Sequence, residues 1–450
     1  MFRVGAKVLL FASLLPLITS CTADREQEGP VLRSAFESFA AGKPPELRPH
    51  LMVYTAQGQR NRALNANRIG LASLEMGHFD LARQMFDQSL ADIEAVYGDT
   101  EQARQARSNF FKESVKDYKG EPYERSMAYF YRALLYLVDG DYDNARASFK
   151  GGDLQNTMAA DDKFKSVFVA FPYLQGWSAR CRNDPGLAEE DFELARSYRP
   201  AITPPDPADN LLIIAESGEA PIKYSAAIED AESVRVIKFR KSGVANRPRL
   251  AQPSIQEVAA VPDQVTPAIE EMDDVYFHAT TRGGRVFDGI LQGKAVAKAT
   301  AETVGGVAET GAMLAGGIAA VAAMSNDRNV AMVAGITAVG LLVADLAARG
   351  VAKSIETDAD TRYWDNLPQK LFVKTMKAKT GASAINVEFL DRNGFVKTTR
   401  SATIRWAGRC GIAWLRSESA LPRSPRAPYS VPGDVMGMPV ITDDPPAKSK

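Results

Sequence analysis

Residues 133–149, ALLYLVDGDYDNARASF, set the fold of the first half of this chain. A run of helix-favouring residues leads to Gly140-Asp141-Tyr142, and Ala145 and Phe149 follow four residues apart on one helical face. Glycine readily takes the left-handed backbone that ends a helix, so Gly140 predicts a turn between two helices. The small Ala133 lets the first helix lie close to the second, and Tyr142 wedges between them. Ala145 falls where the two touch, with no room for a larger side chain. The same intervals recur on either side. Upstream, Ile69-Gly70 precedes Gly77-His78-Phe79, Ala82, Phe86 and Leu90; downstream, Gly176-Trp177 precedes Ala188, Phe192, Ala195 and Pro200. In each copy the small residue, the alanine and the phenylalanine keep one relative spacing, and Pro200 stops the last helix.

This pattern resembles the tetratricopeptide repeat. The first two copies match it most fully; the third has Asn183-Asp184-Pro185-Gly186 at its turn. The alanines at 82, 145 and 188 are 63 and 43 apart, against the ~34 of an uninterrupted array. Extra helix or loop therefore lies between copies, notably around KDYKGEPYER (116–125). The resemblance implies a TPR-like α-solenoid over residues 30–200, whose concave face holds a peptide or partner protein. An irregular helical bundle is the alternative. Lys116, Tyr118, Lys119, Tyr123 and Arg125 either line such a groove or form a solvated loop between repeats.

Composition changes after Pro200. AITPPDPADN (201–210) is a proline-rich boundary. Strand-like runs follow at Leu211–Ala215, Val234–Arg240 and Leu371–Lys377. The clearest local signal is INVEFL-DRNG-FVKTTR (385–400), where alternating apolar and polar residues flank the turn pair Asn393-Gly394. Ala402–Trp406 and Ile412–Leu415 add further strands. The expectation is an α+β chain, with a small antiparallel β domain drawn from β-rich segments 201–293 and 352–420. Between them, segment 294–351 is rich in alanine and glycine. VGGVAETGAMLAGGIAAVAAM (304–324) and VAMVAGITAVGLLVADLAA (330–348) read as a helical hairpin. Glu309 and Asp345 inside these runs favour packing on protein over the alternative, insertion into a membrane. Residues 421–450, crowded with proline, glycine and charge, read as a disordered tail.

The N-terminus, MFRVGAKVLLFASLLPLITSC, has Arg3 and Lys7, a short apolar run too short to span a bilayer, then Ile18-Thr19-Ser20-Cys21. It resembles the lipobox of bacterial lipoproteins. That resemblance implies a signal peptide at 1–20, lipid attachment at Cys21 through diacylglycerol and an acylated amine, and a tether at 21–29. Several acyl chains on one residue hold a protein on a membrane durably. An ordinary secretory leader with an incidental cysteine is the alternative. Without residues 1–20 the chain carries 52 basic and 55 acidic side chains, which gives no electrostatic case for binding nucleic acid. Cys181 and Cys410 then remain; an exported compartment permits their pairing without requiring it.

Along its length the chain resembles an uncharacterised proteobacterial lipoprotein family, through the lipobox, residues 111–149 and DTRYWDNLP (360–368). This implies anchorage to the outer membrane facing the periplasm, and adds no reaction.

The sequence contains no HExxH, GxSxG, CxxC or phosphate-loop motif. TRGGRVFDG (281–289) reads as a loop, and ETDAD (356–360) as a solvated turn or helix cap. His78 falls in a repeat turn, whereas His50 and His278 lack partners in the sequence. The carboxylate pairs Glu189-Glu190 and Glu270-Glu271 read as solvated helix faces. No metal or cofactor is expected. The function expected is a non-enzymatic, lipid-anchored periplasmic scaffold that binds a protein or peptide partner during envelope assembly or maintenance. An envelope hydrolase or modifying enzyme in the second half, docked by the repeats, is the runner-up.

Overall fold

A computed structural model describes residues 31–97, 117–118, 120–157, 168–228, 231–251, 268–280, 360–422 and 441–442. Cys21 with its leader and tether, the 294–351 segment, the 281–289 loop and most of the 421–450 tail lie outside the described residues. The architecture is mixed helix and sheet. Helices α1 (Arg33–Ala40), α2 (Arg48–Glu75), α3 (Phe79–Tyr97), α4 (Pro122–Asp139), α5 (Tyr142–Thr157), α6 (Ala170–Cys181) and α7 (Pro185–Tyr198) fill the first half. They pack as the pairs α2–α3, α4–α5 and α6–α7, and neighbouring pairs meet through α3–α4 and α5–α6.

The three turns share one geometry. Gly77 and Gly140 have φ of 77° and 74°. The amide after each turn residue reaches back five positions, His78 N–H to Ser73 O at 2.8 Å and Asp141 N–H to Tyr136 O at 2.9 Å. This satisfies carbonyls that the ending helix leaves open. The third copy departs in sequence but not in shape. Asn183 takes the glycine's place at φ 72°, and Asp184 N–H reaches Ala179 O at 2.9 Å. Asparagine is among the few residues with a side chain that tolerate this backbone. Asp184 then caps α7 by accepting from Leu187 N–H at 3.1 Å, with Pro185 in the first turn.

Inside each pair the spacing has a steric meaning. A Cβ on Gly70 would lie 3.1 Å from the Phe86 ring, and one on Gly176 would lie 2.7 Å from Phe192. Ala82, Ala133, Ala145, Phe149, Ala188 and Ala195 are buried. Phe79 and Tyr142 pack at the margin of the same core, and Pro200 follows the end of α7.

The main sheet has five strands in the order β10 (Arg405–Ala407), β11 (Cys410–Arg416), β2 (Leu211–Ser217), β7 (Lys370–Met376), β6 (Glu270–Asp274). It corrects the expectation of a purely antiparallel sheet. β11 runs parallel to β2, with Gly411 opposite Leu211 and Arg416 opposite Glu216, while β7 is antiparallel to β2. A second sheet joins β5 (Arg247–Leu250), β8 (Ala384–Leu390) and β9 (Val396–Thr403). β8 and β9 form a hairpin at Asn393-Gly394, with Gly394 at φ 85°. β3 (Ile222–Ile228) and β4 (Ala231–Arg240) form a separate antiparallel pair, and β1 (Val31–Leu32) pairs in parallel with β12 (Ile441–Thr442).

Alternation along a strand builds the layers. Leu212 and Ile214 of β2 join the helical core together with Leu371, Val373 and Ile412. Leu211, Ile213 and Ala215 face the other way, into a core shared with Val387, Phe389 and Leu415. The five-stranded sheet thus lies between the helical array and the small sheet. Helices and strands share one core, and both segments flanking 294–351 contribute strands to the same sheet. A disulfide between Cys181, at the end of α6, and Cys410, at the start of β11, crosses this junction with 5.8 Å between Cα atoms.

Candidate functional site

The face of the helical array turned to the sheet is covered by the chain itself. Residues 360–369 run along it and are held by charge. Arg68 on α2 donates from Nε to Asp365 Oδ1 at 2.7 Å, with both side chains buried. Trp364 N–H donates to Glu124 Oε1 on α4 at 2.6 Å, and the Trp364 ring lies 5.7 Å from Tyr131. Asn366 Nδ2 donates to the Arg68 carbonyl at 3.0 Å. Arg362 donates to both oxygens of Asp360 at 2.8 and 2.7 Å and to Asn61 at 2.7 Å. Burial pushes the Asp360 carboxyl up, but Arg362 and Lys223 outweigh it and hold the group at about 2. Lys223 in turn pairs with Glu121 at 2.7 Å. Residues 360–368 therefore form an internal strap over α2 and α4. Tyr118, Tyr123 and Arg125 are buried, so they form neither an open groove nor a solvated loop, while Lys116 and Lys119 lie outside the described residues.

Among the described residues one cleft, of about 350 Å³, lies where the first helical turn meets the strands. One wall is the turn Leu74–Gly77 with Phe79, so two residues of the repeat pattern, Gly77 and Phe79, line it. The other wall is Arg400–Thr403 of β9, and Arg405, Trp414 and Arg416 also line the cleft. Arg405 lies over the Phe79 ring, its guanidinium carbon 5.1 Å from the centroid. Arg400 donates to the Ser417 carbonyl at 3.0 Å. Arg416 is buried and donates to the Asn366 carbonyl at 2.8 Å, while its Nη1 has no hydrogen-bond partner. Behind it, Glu216 accepts from Trp414 Nε1 at 2.9 Å and from the Tyr131 hydroxyl at 3.0 Å. Burial raises the Glu216 carboxyl above the ordinary range, with Arg416 opposing the shift. Glu75, the one carboxylate in the lining, accepts from Ala420 N–H at 2.7 Å. Arg416 is ion-paired with Glu216 at 3.4 Å, so the exposed Arg400 and Arg405 against one engaged glutamate make the recess basic, and Leu74, Leu134, Ile412 and Leu415 also line it.

The histidines are placed elsewhere. His278, on the short helix Val275–Thr280, does have a partner: its Nε2 lies 3.1 Å from Asp273 Oδ1. Asp273 also accepts from the Val169 and Ala170 amides at 3.0 and 2.8 Å, and His278 stacks on Phe168. The pair thus fastens the start of α6 to β6. His78 occupies the first repeat turn. Burial lowers the basicity of His50. Glu189 pairs with Arg196 and Glu271 with Lys370, both at 2.7 Å; Glu270 and Glu271 belong to a strand, which corrects their reading as a helix face. Among the described residues no group of three or more His, Cys, Asp or Glu side chains is placed to hold a metal ion.

Sequence reasoning missed Glu216, Arg400, Arg405 and Arg416. Each stands in or next to a strand as an ordinary charged residue, and only the parallel pairing of β11 with β2 sets Arg416 beside Glu216. The chain matches no protein-family model, and no curated protein or solved structure is significantly similar to it.

Proposed function

We propose that the protein is a lipid-anchored lipoprotein of the outer membrane, facing the periplasm, that acts as a protein-binding scaffold in envelope assembly or maintenance. The observation that carries this reading is the Cys181–Cys410 disulfide, taken together with the lipobox-like N-terminus. Disulfides persist in oxidising compartments, where an exported chain works. On this reading the three helical pairs are divergent tetratricopeptide-type repeats. Their inner face carries the strap at 360–369, so partner binding belongs to surfaces other than the usual concave groove. Among the described residues no helix is long and apolar enough to cross a membrane. Anchorage is assigned to the lipid on Cys21 on the strength of the lipobox-like N-terminus.

Two cell experiments test this. Cys21→Ala should leave the protein unprocessed or released from membranes after a carbonate wash. A photo-crosslinking residue at Thr403, in the cleft wall, should capture an envelope protein in living cells, whereas one at Lys150 on α5 should not. Retention of Cys21→Ala with the membrane, or equal capture at both positions, would refute the reading.

A further inference from the structure

We infer that the turn of the β8–β9 hairpin rests on the lipid surface, a second contact with the bilayer besides the acyl chains on Cys21. This deepens the lipid-anchored reading and rests on it. Phe395 and Val396, side by side at the turn, are 71% and 46% exposed. Phe395 is the most exposed large apolar side chain among the described residues.

Hydrogen bonds hold the turn in this shape. The Asp391 carboxylate accepts from the Asn393 and Phe395 amides at 2.8 and 3.0 Å. The Asp391 amide donates to the Phe395 carbonyl at 2.9 Å, and Gly394 N–H donates to the Asp391 carbonyl at 3.1 Å. A turn fixed in this way has little freedom left to lose on contact.

Positive charge surrounds the apolar pair. Residues 390–403 carry Arg392, Lys397 and Arg400 against one acid, Asp391, which the two amides already engage. Across the small sheet Arg247 of β5 stands opposite Leu390, and Leu390 stands opposite Val396. Arg247, Arg392 and Lys397 are exposed. The next acid back along β8, Glu388, is paired with Arg249 at 2.7 Å. Apolar side chains inside a cationic collar match the acyl boundary of a bilayer and the phosphates just above it.

A protein partner fits these residues less well. The turn offers two apolar side chains, whereas a standard protein–protein interface buries about 800 Å² on each side. A fluid bilayer needs no shape match. The acyl anchor also keeps the body beside the surface, so a contact too weak to form from solution suffices once the chain is tethered.

The test uses the full-length lipidated protein and vesicles of phosphatidylethanolamine with or without phosphatidylglycerol. Asn393→Cys, an exposed position, carries a nitrobenzoxadiazole label and leaves Phe395 in place. The native cysteines are occupied by the lipid and the disulfide. The label's emission should shift to the blue on phosphatidylglycerol vesicles and be quenched by spin-labelled lipid. The same label at exposed Leu154→Cys on α5 should emit as in water. Phe395→Asp should abolish the shift, and Arg247→Glu with Lys397→Glu should weaken the contact about fivefold or more. Thermal melts of these exposed-site variants should match the parent. Flotation of the unlabelled parent with vesicles reports on the acyl anchor alone, so its failure is read separately. Whether or not the parent floats, a label at 393 that emits as in water beside phosphatidylglycerol vesicles would overturn the inference. So would equal shifts at 393 and 154, or an undiminished shift in Phe395→Asp. A photo-crosslinker at Phe395 that captures one protein in cells, with no quenching by lipid, would overturn it in favour of a protein partner.

Discussion

Arg68 on α2 and Asp365 in the strap, 297 residues apart in the chain, meet at 2.7 Å in a buried ion pair. The contact fixes the C-terminal half against the first helical pair. Its geometry is reinforced from both sides, since Arg68 also bonds Asn65 at 3.1 Å and the Tyr363 carbonyl at 3.2 Å.

Removing one partner leaves the other charge buried and uncompensated. Arg68→Met or Asp365→Leu alone should therefore lower stability by about 3–5 kcal/mol. The double replacement should recover much of that loss, because two apolar side chains avoid the desolvation of two ions. Urea midpoints of the three variants check this; equal losses for single and double changes would contradict it.

Asp360 gives the pH response a defined direction. Its folded-state value, about 2, lies below the ordinary 3.8. The group therefore contributes stability that is complete above the unfolded value and is lost as pH falls from about 4 towards 2. At one pKa unit per 1.36 kcal/mol, the loss is about 2 kcal/mol. Asp360→Asn should be less stable at pH 7 by a similar amount and should show a flatter profile between pH 4 and 2. Denaturation measured across that range decides it.

The disulfide closes a loop spanning 229 positions and ties helix to sheet. Cys181→Ser with Cys410→Ser should lower stability by about 2–5 kcal/mol, chiefly by freeing the unfolded chain. A reducing agent should shift the melting of the parent and leave the double variant unchanged.

The repeat spacing predicts where volume is forbidden. Ala145 is fully buried between α4 and α5, so Ala145→Leu should cost about 1–3 kcal/mol by overpacking. Gly176→Ala should also destabilise, because its methyl group would meet both Phe192 and the Ala188 carbonyl oxygen, at 2.7 and 3.0 Å. Lys150→Ala on the exposed side of α5 should be nearly neutral. Thermal melts that fail to separate these variants would show that the spacing has no packing role.

Sequence by itself determined what depends on near neighbours. Gly77, Gly140 and the alanines and phenylalanines that follow them set the helical turns and the contacts within each pair, because these interactions reach only a few residues or one helical turn. Asn393-Gly394 likewise set the β8–β9 hairpin. Asn183 at φ 72° was legible only in part: its spacing to Ala188 equals that of Gly77 to Ala82, yet the residue type hid the equivalence. The tertiary structure alone decided the parallel pairing of β11 with β2, the joining of Cys181 to Cys410 and the laying of Asp365 on Arg68. Each of these unites segments about 200 residues or more apart. No local periodicity encodes such a meeting. It follows from burying the apolar faces of helices and strands together, and that burial brings Arg400, Arg405 and Arg416 around one cleft.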